Sequence, residues 1–226
     1  MNLNISIDNL LNLEKTVGAK LFAGRTYPWE VLKDIREFVI ALGEMLPKSE
    51  YMQVDECVWV AKSAKVAGSA SLAGPLIIDH EAEIRHCAFI RGSALVGKNC
   101  VVGNSTELKN CLLFDGVQVP HFNYIGDSVL GYRAHMGAGA VTSNVKSDKT
   151  NVAVHMEASG SLETGLRKFG AILADGVEVG CNSVLNPGTV VGRDSIVYPT
   201  SCVRGFIPAD SIYKGAGNIV RREKRG

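Results

Sequence analysis

One of the five histidines of this chain lies among residue types that suit proton transfer. His121 follows Pro120, which restrains the backbone, and Tyr124 and Asp127 come shortly after it. A neutral imidazole is the usual general base near neutral pH. On these residues alone, His121 is either a general base or a structural residue, and a lone histidine within a repeat is more often structural.

Two cationic residues form the second candidate. Arg91 and Lys109 are 18 residues apart, and each directly follows an aliphatic residue of a repeated pattern. If that spacing is one turn of a solenoid, the two side chains stack about 4.8 Å apart, the ordinary strand spacing. Stacked cations repel each other unless an anion lies beside them. The pair therefore predicts either a phosphate site or two surface cations beside an acid such as Glu107.

The element that must position these residues is a repeat of six residues. Large aliphatic residues recur at this period, and a residue that is nearly always small follows each of them four positions later. The large positions are Val60, Val66, Leu72, Ile78, Ile84, Ile90, Val96, Val102 and Leu108. This period fits neither an α-helix nor a single amphipathic strand. It is typical of a left-handed parallel β-helix, a triangular prism and an exception to the right-handed rule for parallel strands.

The repeat is interrupted once. It shifts by one residue at Leu113 and again at Leu130, stops after Val141, and returns between Leu173 and Val203. The polar segment 144–170 is too long to be a corner, and such loops are usually functional. We therefore predict a mainly β fold, with a β-helix domain over 54–214 that contains a loop insertion at 144–170. A basic C-terminal tail at 215–226, exposed to solvent, should follow.

Residues 1–53 have a different pattern. Apolar residues recur at helical spacing at Trp29, Leu32, Ile35, Val39, Leu42 and Leu46. With Thr26 as N-cap and Pro28 in the first turn, this pattern predicts one amphipathic helix of about five turns that ends near Pro47. A weaker helical pattern surrounds Asn9–Lys15. The predicted helical segment cannot enclose a core of its own, so it should pack on the β-helix.

The composition excludes some classes of function. Lys and Arg number 24 against 23 Asp and Glu, which gives no reason to expect nucleic acid as a partner. The six cysteines contain no C-x-x-C pair and are interpreted as buried thiols in a reducing compartment. No apolar stretch reaches the roughly 18 residues of a membrane span, and the first residues lack a signal-peptide layout. We expect a soluble, cytoplasmic protein without a membrane partner.

Three segments together resemble a known enzyme family. They are Thr106-Glu-Leu-Lys-Asn110, Val119-Pro-His-Phe-Asn-Tyr-Ile-Gly-Asp127 and Met136-Gly-Ala-Gly-Ala-Val-Thr-Ser-Asn144. The chain from about residue 54 to 214 resembles the acetyltransferase half of the bifunctional sugar-1-phosphate uridyltransferase/acetyltransferases. The resemblance implies an N-acetyltransferase that moves an acetyl group from acetyl-CoA to an amino-sugar 1-phosphate of the glucosamine or galactosamine type. It also implies UDP-N-acetylglucosamine biosynthesis, a homotrimer, and no metal requirement.

The resemblance also implies residue roles. His121 would take a proton from the sugar amine, and Asn144 would position the amine or its oxyanion. Arg91 and Lys109 would hold the sugar phosphate, with Tyr124 beside the sugar. His135 and Lys149 are also implied to bind the substrate, with Lys149 reaching the site from an adjacent subunit. Those implied to line the acetyl-CoA site are Ala138, Cys181, Pro199 and Lys214. His135, Cys181 and Tyr198-Pro199 depart from the usual family residues, so the acceptor side matches better than the CoA side.

Other functions stay open. No Gly-rich nucleotide loop occurs in residues 1–53, where the glycines are isolated, so no nucleotidyltransferase unit is expected there. His135 and Tyr198 favour an acyltransferase for a nucleotide-linked amino sugar as the second hypothesis. A third is a non-catalytic trimer or a hydratase of the γ-carbonic-anhydrase kind, which needs three histidines on zinc. His80 and His86 should lie on adjacent faces and make a poor ligand pair.

Overall fold

The structure is a computed structural model, and it describes residues 5–156 and 160–223. Its main part is a left-handed parallel β-helix of about eight turns, with a short helical N-terminal segment. The fold predicted from the six-residue repeat is confirmed. Within the described ranges, no helix combines the length and the apolar character needed to cross a membrane.

Short parallel strands form the three faces of the prism. Face 1 contains Val58–Ala61, Leu76–Ile78, Ala94–Val96, Ala171–Leu173, Thr189–Val191 and Phe206–Ile207. Face 2 contains Lys65–Val66, Glu83–Ile84, Val101–Asn104, Gln118–His121, His135–Met136, Glu178–Val179, Ile196–Val197 and Ser211–Gly215. Face 3 contains Ser71–Ala73, Phe89–Arg91, Val141–Thr142, Val184–Leu185 and Cys202–Val203. Two longer strands, Glu107–Leu113 and Tyr124–Leu130, begin on face 3 and bend into face 1.

The repeated aliphatic residues fill the interior of the prism, as predicted. Ile84, Val102 and Leu108 are all almost completely buried. Val66 is partly exposed, since it lies on the first turn and has neighbours on one side only. The interior residue of the rung 141–142 is Thr142 rather than Val141, and its hydroxyl satisfies its polarity by bonding to the backbone of Gly126. Residues in the left-handed conformation turn the chain between faces, for example Phe122 and Asn182.

Residues 5–50, named the covering segment here, form several short helices instead of one long one. The α-helices are Ile7–Leu10 and Ile35–Met45, and the 3₁₀ helices are Leu13–Lys15, Ala19–Phe22 and Pro28–Val31. The predicted single helix from Thr26 to Pro47 is therefore wrong. Tyr27 is the N-cap, and the Glu30 carboxylate accepts from the N–H groups of Thr26 and Tyr27. The chain bends after Val31, where the Leu32 carbonyl accepts from the Asn110 side chain instead of from a helical N–H.

The covering segment packs on face 1. The helix Ile35–Met45 contacts the strands Leu76–Ile78 and Ala94–Val96. Trp59 of face 1 lies so close to Gly43 that a Cβ at residue 43 would clash with its ring. Phe22 meets Phe114 edge-on, with 5.8 Å between ring centroids. The predicted packing of this segment on the β-helix is thus observed, and it occurs on one face.

The insertion 144–170 contains an antiparallel hairpin of Ala153–Met156 and Gly160–Glu163. Its ends are held together, because the Phe169 N–H donates to the Asn144 carbonyl at 3.0 Å and the Gly170 N–H donates to the Asp127 carbonyl at 2.8 Å. Phe169 is buried and packs near Trp29 of the covering segment, with 5.7 Å between centroids.

Both boundaries of the predicted β-helix domain fall inside strands. Tyr51–Asp55 pairs antiparallel with Val58–Ala61 and crosses the predicted boundary after residue 53. At the other end, Asn218–Arg221 folds back antiparallel on Ser211–Gly215. The first part of the predicted tail 215–226 is therefore a strand, which was not predicted. Residues 224–226 lie outside the described residues.

Candidate active site

The two cations predicted to stack do so on face 3. Ile90 and Leu108, the residues before them, are register partners in neighbouring strands. Each cation has a carboxylate partner: Arg91 Nε pairs with Glu107, and Lys109 Nζ lies 2.8 Å from Asp127. The geometry thus fits both interpretations of the sequence. Arg91, Lys109, Glu107 and Asp127 together carry no net charge. The Nη groups of Arg91 and one proton of Lys109 do not bond to these two carboxylates.

Asp127 connects more predicted site residues than any other side chain in this part of face 3. It is buried, with 4% of its side chain exposed, and it accepts hydrogen bonds from Lys109, Asn110 and Asn144. The sequence singled out Asp127 only as a neighbour of His121 and did not identify Asn110. The available signal was a carboxylate one turn after a lysine of the repeat, a spacing that places both on adjacent rungs.

Tyr124 lies on face 3 opposite Glu107 on one side and Val141 on the other. Its ring covers Gly126, where a Cβ would collide with the ring and its hydroxyl. Burial raises the pKa of Tyr124 above its usual value, and the negative charges of Asp127 and Glu107 add to this effect. Tyr124 therefore keeps its proton and can act as a hydrogen-bond donor.

The edge between faces 2 and 3 collects a second group of predicted residues. His121, Ala138, Cys181 and Pro199 lie there on successive turns. The His121 carbonyl accepts from the Gly139 N–H at 3.0 Å, and the Ala138 carbonyl accepts from the Asn182 N–H at 2.8 Å. His121 is exposed, so its imidazole is available for proton transfer.

A buried residue fixes the backbone of this edge. The Asn123 Oδ1 accepts from the His121 N–H at 3.1 Å, and its Nδ2 donates to the carbonyls of Gly137 and Ala140 at 2.8 and 3.0 Å. Asn123 thereby ties the His121 turn to the turn of Ala138. It is 3% exposed and was not identified from the sequence as a site residue.

Three predicted residues are not brought to face 3 within one chain. His135 lies on face 2, where its Nδ1 is 2.8 Å from a carboxylate oxygen of Glu178. Lys214 also lies on face 2, with its Nζ 5.7 Å from the centre of the Tyr198 ring. Lys149 is exposed on the loop insertion. A site that used all three together with Arg91 and Lys109 would need more than one chain.

A groove beside the loop was not predicted. It has a volume of about 540 Å³ and is lined by Lys146, His155 and Arg204, among others. An Arg204 N–H donates to His155 Nε2 at 2.8 Å, and His155 Nδ1 lies 2.6 Å from the Ser161 hydroxyl. Burial, and then the charges of Arg204 and Lys146, lower the pKa of His155. His155 is therefore neutral near pH 7.

The described residues contain no group of three or more His, Cys, Asp or Glu side chains arranged to hold a metal ion. His80 bonds to Asp79 and Tyr51 at the edge between faces 1 and 2. His86 bonds to Ser69 at the edge between faces 2 and 3. The two histidines thus lie at different edges. Burial raises the pKa of the Cys111 thiol to about 12, while Cys87, Cys181 and Cys202 are exposed, contrary to the interpretation of all six thiols as buried.

The fold and the arrangement of polar residues along face 3 define a hexapeptide-repeat β-helix protein. The chain belongs to the GMPPB C-terminal domain family, whose model matches residues 72–207.

Curated relatives extend this result. The chain is 30% identical over 122 residues to a bifunctional protein GlmU of Methanococcus maripaludis, which covers 54% of this chain and 29% of that protein. It is 30% identical over 110 residues to a bifunctional sugar-1-phosphate nucleotidylyltransferase/acetyltransferase of Sulfurisphaera tokodaii, covering 49% and 27%. The chain spans less than a third of the length of these relatives. The predicted resemblance to the bifunctional sugar-1-phosphate enzymes is confirmed.

Solved structures of similar chains include a mutant of AntD, an N-acyltransferase from Bacillus cereus, in complex with dTDP and coenzyme A. The likeness covers 74% of this chain and 82% of the AntD chain, at 17% identity and a TM-score of 0.34. Another is the acetyltransferase domain of PglB from Neisseria gonorrhoeae with acetyl coenzyme A. It covers 73% and 57%, at 17% identity and a TM-score of 0.32.

Proposed function

We propose that this protein is an acetyl-CoA-dependent N-acetyltransferase whose acceptor is an amino-sugar 1-phosphate. One observation carries the proposal: an exposed imidazole at one edge of the prism adjoins a face on which Arg91, Lys109, Tyr124 and Asn144 share hydrogen-bonding partners or neighbouring rungs. The relatives named above, bifunctional enzymes with a sugar-1-phosphate or GlmU name, support this class of acceptor.

In the proposed reaction, the amine of the sugar attacks the thioester carbonyl of acetyl-CoA. The His121 imidazole takes a proton from the amine as the new C–N bond forms. The C–S bond then breaks, and the CoA sulfur leaves with that proton, which returns the imidazole to its neutral form. A general base typically contributes about 10²- to 10⁴-fold to such a rate.

The edge between faces 2 and 3 is the proposed binding surface for acetyl-CoA. Ala138, Cys181 and Pro199 lie along it, and their side chains are small or compact, which leaves room for an extended chain. Lys214 lies near the far end of this edge, beside Tyr198, and offers a positive charge to a phosphate group. Face 3 would hold the sugar phosphate through the donors of Arg91 and Lys109 that Glu107 and Asp127 do not use, beside the Tyr124 hydroxyl that also bonds to Arg91.

A homotrimer is part of this proposal. His121 is exposed in the single chain, and His135, Lys149 and Lys214 do not reach face 3 of their own chain. Three parallel prisms would place the edge of one chain beside face 3 or the loop of its neighbour. Sedimentation equilibrium of the purified protein tests this directly, and a monomer that remains fully active would contradict it.

A second acceptor class is favoured by one specific observation. Glu107 and Asp127 neutralise the two cations of face 3, which weakens their attraction for a sugar phosphate. An amino sugar linked to a nucleotide, with its phosphates held elsewhere, would fit such a neutral face. The acceptor is then the same amine, and the chemistry at His121 is unchanged.

The decisive experiment measures thiol release from acetyl-CoA with a panel of acceptors. The panel contains glucosamine 1-phosphate, galactosamine 1-phosphate, unphosphorylated glucosamine and a UDP-linked amino sugar. We expect the highest kcat/KM with one of the 1-phosphates. A preference for the UDP-linked sugar would support the second acceptor class. No thiol release with any amine would contradict the acetyltransferase function.

A further inference from the structure

A buried carboxylate behind face 3 has no role yet in the proposed reaction. Asp127 is in the left-handed conformation, with a φ of 47°, and its side chain is 4% exposed. A buried charge is costly unless donors surround it. Three side chains supply these donors: Lys109 at 2.8 Å, Asn110 at 2.8 Å, and Asn144. Two of the three are residues that the resemblance assigns to the reaction.

These bonds determine the orientation of the Asn144 amide. An ionised carboxylate only accepts hydrogen bonds, so the amide nitrogen of Asn144 must be the atom that faces Asp127. The amide oxygen Oδ1 is then left as an acceptor. An acceptor oxygen suits an N–H of the attacking amine, and it would repel the oxyanion that develops on the thioester. Of the two roles that the resemblance left open for Asn144, the geometry favours positioning of the amine.

Asp127 also bonds to residues that surround Asn144. Its carbonyl accepts from the Gly170 N–H at the end of the loop, and Asn144 stands at the start of that loop. The Asn110 amide that donates to Asp127 also donates to the Leu32 carbonyl of the covering segment at 3.1 Å. Face 3, the loop and the covering segment therefore meet at one carboxylate.

We propose that Asp127 is a positioning residue for the acetyl transfer. It holds the Asn144 amide with Oδ1 presented to the acceptor amine, and it holds the Lys109 ammonium in place on face 3. This inference rests on the proposed function and assigns Asp127 no direct contact with the substrate.

The test variant is Asp127→Asn. Asparagine has nearly the same size and also tolerates the left-handed conformation, but it offers one acceptor oxygen and adds a donor where three donors converge. We expect kcat to fall about 10²-fold, the typical cost of a misplaced reacting group. The KM for acetyl-CoA should stay within about twofold, a change as small as that of an ordinary surface substitution.

Asp175→Asn is the matched control. Asp175 is also largely buried, with 14% of its side chain exposed, and pairs with Arg193 at 3.3 Å. It accepts from the N–H groups of Asn12 and Tyr132 at 2.8 Å, so it ties the covering segment to the β-helix without contacting a predicted site residue. We expect it to lower the melting temperature as much as Asp127→Asn does, with kcat within about twofold of wild type.

Two outcomes would overturn the proposal. One is equal loss of kcat in both variants, which would show a purely structural role. The other is a kcat for Asp127→Asn within about twofold of wild type. Lys109→Met serves as a second variant if Asp127→Asn does not fold, because it removes one donor and leaves the Asn144 bond. Lys109→Met should raise the KM for the phosphorylated acceptor and change kcat little. A large loss of kcat would contradict the assignment of phosphate binding to Lys109 and of amine positioning to Asn144.

A spectroscopic readout separates this inference from the proposed function. In wild-type protein with ¹⁵N-labelled asparagine, the two Asn144 Nδ2 protons should have well-separated shifts, one of them protected from exchange by the carboxylate. In Asp127→Asn, the protection should disappear. If the wild type transfers no acetyl group, the proposed function fails, and the orientation of Asn144 is still tested. Unprotected Asn144 protons in active wild-type protein would overturn the positioning role alone.

Discussion

Faces 1 and 3 are built from the same repeat and differ in the residues that point away from the interior. On face 1 these outward residues are apolar and completely or almost completely buried: Ile77, Leu95, Leu112, Val129, Ile172 and Val190. On face 3 they include Arg91, Glu107 and Lys109, and even Phe89 is 42% exposed. The covering segment lies on the early rungs of face 1, and the strand Ala153–Met156 of the insertion contacts its last rungs. Among the described residues of the same chain, none covers the strands of face 3 to this extent.

The difference shows how a solenoid separates stability from function. The large inward residues are aliphatic on both faces, because they fill the same prism. The outward residues decide whether a face is closed by apolar burial or left open for polar contacts. Face 1 is thus a second core, and face 3 with its edge to face 2 carries the candidate site. Substitutions on face 1 should therefore lower the free energy of unfolding and leave kcat unchanged. Substitutions of the site residues should change kcat or KM and leave the free energy of unfolding nearly unchanged.

The largest expected effect is on His121. We expect His121→Ala to lower the turnover of acetyl transfer by about 10²- to 10⁴-fold, the usual contribution of a general base. The melting temperature and oligomeric state should not change, because the side chain is exposed. The measurement is thiol release under saturating acetyl-CoA, with an equilibrium melt of the same sample.

His86→Ala is the matched control, since His86 is exposed on the same edge and bonds to Ser69. Its turnover should equal that of wild type. If His121→Ala kept more than about a third of wild-type turnover, a loss far below that of a general base, His121 would not be the base.

The second effect tests face 1. Leu95 is completely buried, and its side chain lies against the covering segment near Gly18. Leu95→Ala should lower the free energy of unfolding by about 2–5 kcal/mol, the typical cost of a large-to-small change in a core. Urea unfolding measures this change, and kcat of the folded protein should stay as in wild type.

Phe89→Ala provides the contrast on face 3. Because the Phe89 side chain is 42% exposed, the free energy of unfolding should fall clearly less than in Leu95→Ala. Equal destabilisation by the two substitutions would mean that face 3 is also closed in solution. In that case the distinction between a covered and an open face would not hold.

The third effect concerns the stacked cations. Arg91→Ala and Lys109→Ala should each raise the KM for a phosphorylated acceptor by about 10- to 150-fold, since a charged hydrogen bond contributes about 1.5–3 kcal/mol. The KM for the unphosphorylated amino sugar should rise much less. Steady-state kinetics with both acceptors gives the comparison.

Arg85→Ala controls for the loss of an arginine, because Arg85 pairs with Glu83 on face 2 at 3.0 Å. It should leave both KM values unchanged. Equal increases for the two acceptors in Arg91→Ala and Lys109→Ala would identify the pairs with Glu107 and Asp127 as structural.

The last prediction is the absence of an activity. The glycines of residues 1–53 are isolated and form no Gly-rich nucleotide loop, so we expect no pyrophosphorylase activity from this segment. The chain is incubated with UTP, Mg²⁺ and N-acetylglucosamine 1-phosphate, and pyrophosphate is measured. Release at about 1 s⁻¹, an ordinary turnover, would show that this segment does more than cover face 1.

Several features of the site followed from the repeat because its period maps directly onto space. A spacing of 18 residues places Arg91 and Lys109 on adjacent rungs, as the register of Ile90 and Leu108 shows. His121 was identified by its neighbours Pro120, Tyr124 and Asp127, and the structure places it at the edge between faces 2 and 3. Asp127 and Asn110 were missed as site residues, because their role depends on which donors converge on one buried carboxylate. The six-residue period does not predict where the loop, face 3 and the covering segment come together.

The amino-acid sequence by itself determined the β-helix, its interior residues, the position of the long insertion and the resemblance that identified His121. The first three depend on a regular alternation of large and small residues, or on its interruption, which local geometry converts into structure. The resemblance depends instead on three specific segments between Thr106 and Asn144. Only the tertiary structure decided that the covering segment bends after Val31 and packs on face 1, and that the Asn144 amide donates to Asp127. The physical reason is that these features depend on long-range competition for hydrogen bonds: the Leu32 carbonyl bonds to Asn110 instead of continuing a helix, and a buried carboxylate gathers donors that are distant in the chain.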